Sequence, residues 1–274
     1  MTDLQERSGT GLTPAPPRPA RPLRARLSRW LLTVSALAAF VGCLRLADVD
    51  PVELAEGLPT MAGWLVQAFP PSTDALDTLL LRAAETVAIA VVGTAFAVVL
   101  ALPLCVLAAR NTTPSGWVRV PVRLFLNGLR GVDAFVFALL FVAAVGLGPF
   151  AGVLGIALHT WGSMGKLFSE SIEAQPSGPL EAAELTGAGR LKTSSYTLLP
   201  DVLPSISGIG LYLLEFNIRA STVLGVVGAG GIGQELKNAV DLLAFPRLAT
   251  ILLVILVMVT LVDQLSARLR KALA

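Results

Sequence analysis

The sequence predicts an all-α polytopic membrane protein with six transmembrane helices per chain, and three observations lead there. Of its 274 residues, 54% are hydrophobic and only 15% are charged, with a mean hydropathy of +0.72. A soluble domain of this length would hold about a quarter charged residues, so the shortage points to lipid as the solvent. Second, six apolar stretches approach the ~20 residues a helix needs to cross the hydrocarbon core. They are residues 30–47, 86–109, 124–145, 153–168, 206–227 and 248–265; the fourth is short and the fifth carries charges, which leaves five as the alternative count. Third, fifteen Lys and Arg fall before the first stretch, after the last, or in the connections between the second and third and the fourth and fifth. Only Arg45, Arg82, Lys237 and Arg247 lie on the other side. The positive-inside tendency then puts both termini in the cytoplasm, which requires an even number of spans.

Taken in order, residues 1–29 interleave Pro14, Pro16, Pro17, Pro19 and Pro22 with arginines and lack apolar periodicity. They read as a disordered basic tail near anionic headgroups, with orientation as its one required role. Residues 30–78 read as the first span followed by an extracytoplasmic interfacial helix. Asp50-Pro51 opens that helix with proline at its first position. Val52, Leu54, Leu58, Met61, Trp64, Leu65 and Phe69 give it an uneven apolar stripe, with Trp64 at headgroup level, and Pro70-Pro71 ends it. Phe40-Val41-Gly42-Cys43 has the outline of a lipoprotein cleavage site, but the region before it is too long for a signal peptide. Cys43 and Cys105 are expected as apolar fillers without a disulfide.

Residues 79–274 hold the rest of the transmembrane domain. Pro103 should kink the second span, Gly148-Pro149 should turn the third into the fourth, and Pro204 should open the fifth. No half of the chain repeats the other, so a pathway lined by more helices needs a second copy. Between the fourth and fifth spans, residues 173–204 form a cytoplasmic loop opened by Pro176 and Pro179. Within it, residues 180–186 read as a helix, Gly187-Ala188-Gly189 as a turn, and 190–198 as a second helix stopped at Leu199-Pro200. Small Ala182 and Ala183 let a partner approach closely, and Glu181 offers a carboxylate to a basic group. The alternative is an ordinary polar connector.

Gly228-Ala229-Gly230-Gly231-Ile232-Gly233 matches a dinucleotide-binding fingerprint by letter, after a β-like run at 222–227. The following segment is a spanning helix and not the rest of a βαβ unit, so the glycines are expected to make a re-entrant or tightly packed turn. Glu215 and Arg219 stand four residues apart on one face inside a span. Charge at that depth is costly and faces a bundle interior or a water-filled cavity. Either the two form a structural ion pair, or Arg219 lines a path for an anion with Asn217, Ser221 and Thr222 nearby; a guanidinium suits a phosphate-like group. His159 and Lys166 stud the fourth span, with Glu170 spaced to pair with Lys166. One histidine builds neither a multi-histidine metal cage nor a hydrolytic triad, and no catalytic or metal residues are expected.

From about residue 79 onward the chain resembles the membrane-spanning subunit of phosphonate ABC importers. The resemblance rests on Leu158-His159-Thr160 through Gly165-Lys166-Leu167, the loop 181–200, Glu215-x-Asn217-x-Arg219-Ala220-Ser221-Thr222-Val223-Leu224-Gly225, and the glycine-rich run ending in Gln234. The loop is similar to the EAA loop of ABC-importer permeases, with Thr197 where an aliphatic residue is usual. Val132-Asp133-Ala134 departs from a Pro-acidic pattern, which bears on the local bend. The resemblance implies a type I importer arrangement and a homodimer with two ATP-binding subunits. It also implies an extracytoplasmic phosphonate- or phosphate-binding protein. Glu181, Ala182, Ala183, Gly187, Leu199 and Pro200 would couple to the ATPase. No cofactor is expected on this chain, MgATP being bound by the partner subunit; the bilayer is its medium and nucleic acid is not a partner. Phosphonate, phosphate, phosphite or another small anion is the expected cargo, with a secondary transporter as the alternative class.

Overall fold

The computed structural model describes residues 23–113, 115–176, 178 and 199–273, and every regular element among them is helical. The helices are α1 (Leu23–Leu46), α2 (Pro51–Gln67), α3 (Leu76–Ala108), α4 (Gly116–Gly131), α5 (Ala134–Val145) and α6 (Pro149–Glu173). Then come α7 (Leu199–Leu224) with a 3₁₀ turn at Gly225–Val227, α8 (Ile232–Asp241) and α9 (Phe245–Leu273). The chain divides into two compact units, one ending at Met61 and the other running from Ala62. In the first unit α1 leads through a turn into α2, whose opening amide at Val52 donates to Asp50 Oδ1 at 2.8 Å. As expected, Pro51 is the first helical residue.

α3, α7 and α9 are each long and apolar enough to cross a bilayer, and two bent pairs, α1–α2 and α4–α5, could each add a crossing. Length and apolarity therefore support three to five crossings against the six expected. The difference lies in α6, which is long at 25 residues but carries His159, Lys166, Glu170 and Glu173. The expected third span at 124–145 is also corrected. It is two helices, α4 and α5, bent by 83°. α5 has 12 residues, a rise of about 18 Å and short of a full crossing. The break is built locally: α4 stops at Gly131, and Asp133 caps α5 by accepting the Phe135 amide on Oδ1 at 2.8 Å. A hydropathy window averages over such a cap. Two further boundaries move. α7 begins at Leu199-Pro200, so Pro204 sits inside it, and the β-like run at 222–227 is helical.

α6 is the hub of the second unit and packs against α3, α4, α5 and α7. In lipid no hydrophobic gain favours helix association, so close approach over small residues supplies the packing energy. Gly162 is the clearest case: a Cβ there would lie 2.6 Å from the Arg130 amide nitrogen and 2.7 Å from Leu126 O of α4. Gly155 stands as close to Ala138 of α5. One buried cluster joins Leu79, Ile89, Ile156, Ile218, Ile232 and Ile251; a second joins Ala101, Cys105, Met164, Phe168, Ile172 and Val202. Leu81 and Val99 of α3 and Leu252, Leu256 and Leu261 of α9 stay exposed, an apolar exterior suited to acyl chains. Of the cysteines, Cys105 is a buried filler and Cys43 is exposed; both are free thiols.

Candidate functional site

Glu181, Ala182, Ala183 and Gly187 lie outside the described residues; the stems of their loop do not. On the first stem, the Glu173 carboxylate that ends α6 receives Arg123 Nη2 and the Arg110 backbone amide, the latter at 2.7 Å. Asn111 Nδ2 donates to Ile172 O at 2.7 Å and Arg123 Nε to Ala108 O at 2.8 Å. These bonds fasten the α3–α4 connection to the last turn of α6. The second stem starts at Leu199 and Pro200, and Ser205 Oγ meets Ser171 Oγ across the gap at 3.1 Å. The roots of the loop are thus held together and tied to the core. Sequence reading passed over Arg110, Asn111 and Arg123 because their partners lie 50 to 63 positions away.

The glycine-rich segment is a compact turn between α7 and α8. Gly228, Gly230 and Gly231 have φ of +87°, +79° and +76°, a region that L side chains rarely adopt. Gly233 packs onto the Thr222 carbonyl so closely that no side chain fits. Thr86 of α3 holds the turn: its Oγ1 accepts the Ile232 amide, the first of α8, at 2.8 Å and donates to Arg82 O at 2.9 Å. Ser221 Oγ of α7 reaches Thr86 O at 3.2 Å. Thr86 is ten residues, about 15 Å of rise, past the start of α3, so the turn is sunk well along the bundle. Near that start, Ser72 O accepts Thr250 Oγ1, and Trp64 stacks on Phe245 with ring centroids 5.5 Å apart.

The polar residues predicted for a pathway separate into different environments. Asn217 is fully buried between three helices. Its Nδ2 donates to Thr94 Oγ1 of α3 at 2.9 Å and to Thr160 Oγ1 of α6 at 3.0 Å. Ser221 is buried too, bonded to Ile218 O at 2.9 Å. On another side of α7, Arg219 is half exposed at 48%, with Nη2 3.2 Å from Glu215 Oε1. Thr222 Oγ1 donates to Arg219 O at 2.7 Å. Glu215 has a second partner with no local signal along the chain, Arg270 of α9 at 3.1 Å. His159 Nδ1 lies 2.8 Å from Val132 O, the carbonyl left open at the α4–α5 break, so that nitrogen carries the proton. Lys166 pairs with Glu170 at 3.5 Å beside a small cleft shared with Arg123 and Asn127. The structure therefore pairs Arg219 with Glu215, turns the Thr222 hydroxyl back onto its own helix, and ties Asn217, Ser221, His159 and Lys166 to other partners. Among the described residues no group of three His, Cys, Asp or Glu could hold a metal.

Among the described residues every regular element is helical, the outer faces suit lipid, and the roots of one polar loop are braced against the bundle. The family model described as "Binding-protein-dependent transport system inner membrane component" matches residues 101–274, well over half of the chain. The chain belongs to this permease family. The permease is 47% identical over 250 residues to a putative phosphite transport system permease protein of Stutzerimonas stutzeri, covering 91% of this chain and 89% of that one. It is 37% identical over 258 residues to a phosphate-import permease protein of Mycolicibacterium smegmatis, covering 94% of this chain and 48% of that longer one. In three dimensions it resembles the inward-facing MetNI methionine ABC transporter, with a TM-score of 0.65 and 21% identity over 74% of this chain and 99% of that one. The permease has the type I ABC importer fold. It is a membrane transport subunit and not an enzyme; ATP hydrolysis belongs to separate ATP-binding subunits, and a substrate-binding protein completes the system.

Proposed function

We propose that this permease forms the membrane path for phosphite, or a related phosphorus oxyanion such as a phosphonate, and that Arg219 meets the anion. The 47% identity to a phosphite permease, extending over nine-tenths of both chains, carries the reading of the cargo. Arg219 supports it chemically: a half-exposed guanidinium inside a spanning helix suits a bundle interior or a water-filled cavity, and its planar fork suits a phosphorus oxyanion. Two copies of the chain, or this chain with a related permease, enclose the path, and both termini face the cytoplasm.

Transport proceeds by alternating access. MgATP, bound by the partner subunits and not by this chain, closes the ATPase pair. The loops at 173–204, gripped through Glu181, Ala182, Ala183, Gly187, Leu199 and Pro200, are drawn together and the path opens outward. Hydrolysis returns it. The bonds from Glu173 and Ser171 at the loop's roots suit this role, since a lever must be fixed where it joins the load.

The test is uptake of phosphite into proteoliposomes holding the permease with its ATPase subunits and loaded binding protein. Arg219→Gln should lower uptake about ten- to a hundredfold, the worth of one hydrogen bond between charged groups, and Arg219→Lys should fall between. Normal uptake by Arg219→Gln would leave Glu215–Arg219 as a structural ion pair. The identity to a phosphate-import permease favours inorganic phosphate as a second cargo, and competition by phosphate against phosphite decides between them.

A further inference from the structure

The Glu215 carboxylate serves two guanidinium groups at once. Arg219 Nη2, from the same helix, lies 3.2 Å from Oε1, and Arg270 Nη2, from α9, lies 3.1 Å from Oε2. Glu215 is largely enclosed, with 14% of its side chain exposed, whereas Arg219 is the most open of the three. The trio carries one net positive charge. Glu173 with Arg110 and Arg123 has the same charge but ends α6 at the loop's root, whereas Glu215 lies inside a spanning helix; Lys166–Glu170 and Lys237–Asp241 are neutral as pairs.

The second arginine changes what Arg219 is able to do. In a lone Glu–Arg pair, an anion that drew the arginine away would leave a bare, enclosed carboxylate, and that desolvated charge would oppose the exchange. With Arg270 already on Oε2, Glu215 keeps a charge-assisted bond when Arg219 leaves Oε1. Each arginine holds Glu215 through a single Nη2, so the other Arg219 N–H groups make no bond to the carboxylate and are available to a tetrahedral oxyanion. Arg270 also fixes Glu215 from a different helix, so the acceptor stays in place while Arg219 moves.

We propose that Arg270 is a positioning residue for transport: it retains Glu215 while Arg219 alternates between that carboxylate and the passing anion. This rests on the reading of Arg219 as lining the path. The role is specific in sign, since Arg270 helps only by occupying Glu215, and its loss should be harmless once Glu215 has no charge.

The experiment compares Arg270→Gln, Arg270→Lys, Glu215→Gln/Arg270→Gln and Arg219→Gln in the assembled transporter, reading phosphite uptake. Arg270→Gln should slow uptake about tenfold, because Glu215 then holds Arg219 alone. Arg270→Lys should keep most of the rate. The double variant should recover to within about threefold of the unaltered protein, since neither charge remains to trap Arg219. A double variant as slow as Arg270→Gln, or an Arg270→Gln of normal rate, overturns the proposal while leaving Arg219's own role intact. A normal rate in Arg219→Gln overturns both. If Arg270→Gln does not assemble, the double variant decides alone: it must assemble and transport, and its failure refutes the positioning role.

Discussion

Replacing Asn217 by Leu should destabilise the helix bundle by about 1–3 kcal/mol while leaving membrane insertion intact. The magnitude follows from the bonds to two threonines. Asn217 Nδ2 donates to Thr94 Oγ1 at 2.9 Å and to Thr160 Oγ1 at 3.0 Å, joining α7 to α3 and α6 at a site with 1% exposure. Hydrogen bonds between helices in lipid average ~0.6 kcal/mol and reach ~1.7. Leucine keeps the branch at Cγ but offers neither donor nor acceptor, so the links to both threonines go. The loss stays moderate because each threonine hydroxyl can turn to a carbonyl of its own helix. Unfolding of purified protein in mixed micelles, followed by helical signal, gives the free-energy change. Pairing the variant with Thr94→Val should yield less than the sum of the single effects, since the two share a bond. A loss under about 0.3 kcal/mol, or strict additivity, would refute the assignment of Asn217 as a latch. Unchanged stability with lost uptake would move Asn217 back to the pathway, where its sequence neighbourhood suggested it.

Two further outcomes follow from the packing around α6. Gly162→Ala should cost about 1–3 kcal/mol, because the added methyl meets α4 backbone 2.6–2.7 Å away, whereas Gly128→Ala, with nothing within 4 Å, should be neutral or slightly stabilising; thermal midpoints compare them. Asp133→Ala removes the cap on the Phe135 amide and should cost about 1 kcal/mol, with Asp133→Asn recovering most of it in the same assay.

Much of the architecture could be read along the chain, because lipid solvation depends on composition and length. The positions of α3, α7 and α9, the proline at the start of α2 and the packed turn at Gly228–Gly233 are properties of short segments. The break at Val132-Asp133 was harder, since a capping carboxylate inside an apolar run alters hydropathy little yet ends one helix and starts another. The candidate site was legible only in part. Glu215 and Arg219 sit four apart and announce themselves, but Arg270 is 55 residues from Glu215, and only tertiary packing brings it there. Asn217 and Arg219 are two residues apart, and so point to different sides of α7. A list of polar residues in a span does not separate a buried latch from an open guanidinium; the neighbouring helices do.

The most direct measurement is phosphite uptake by proteoliposomes containing the permease, its ATP-binding subunits and its binding protein, with and without ATP inside the coupling compartment. The account predicts uptake that requires all three components and ATP hydrolysis, and that collapses when Arg219 becomes glutamine. Uptake that persists without the ATP-binding subunits, or that follows an ion gradient instead of ATP, would contradict it.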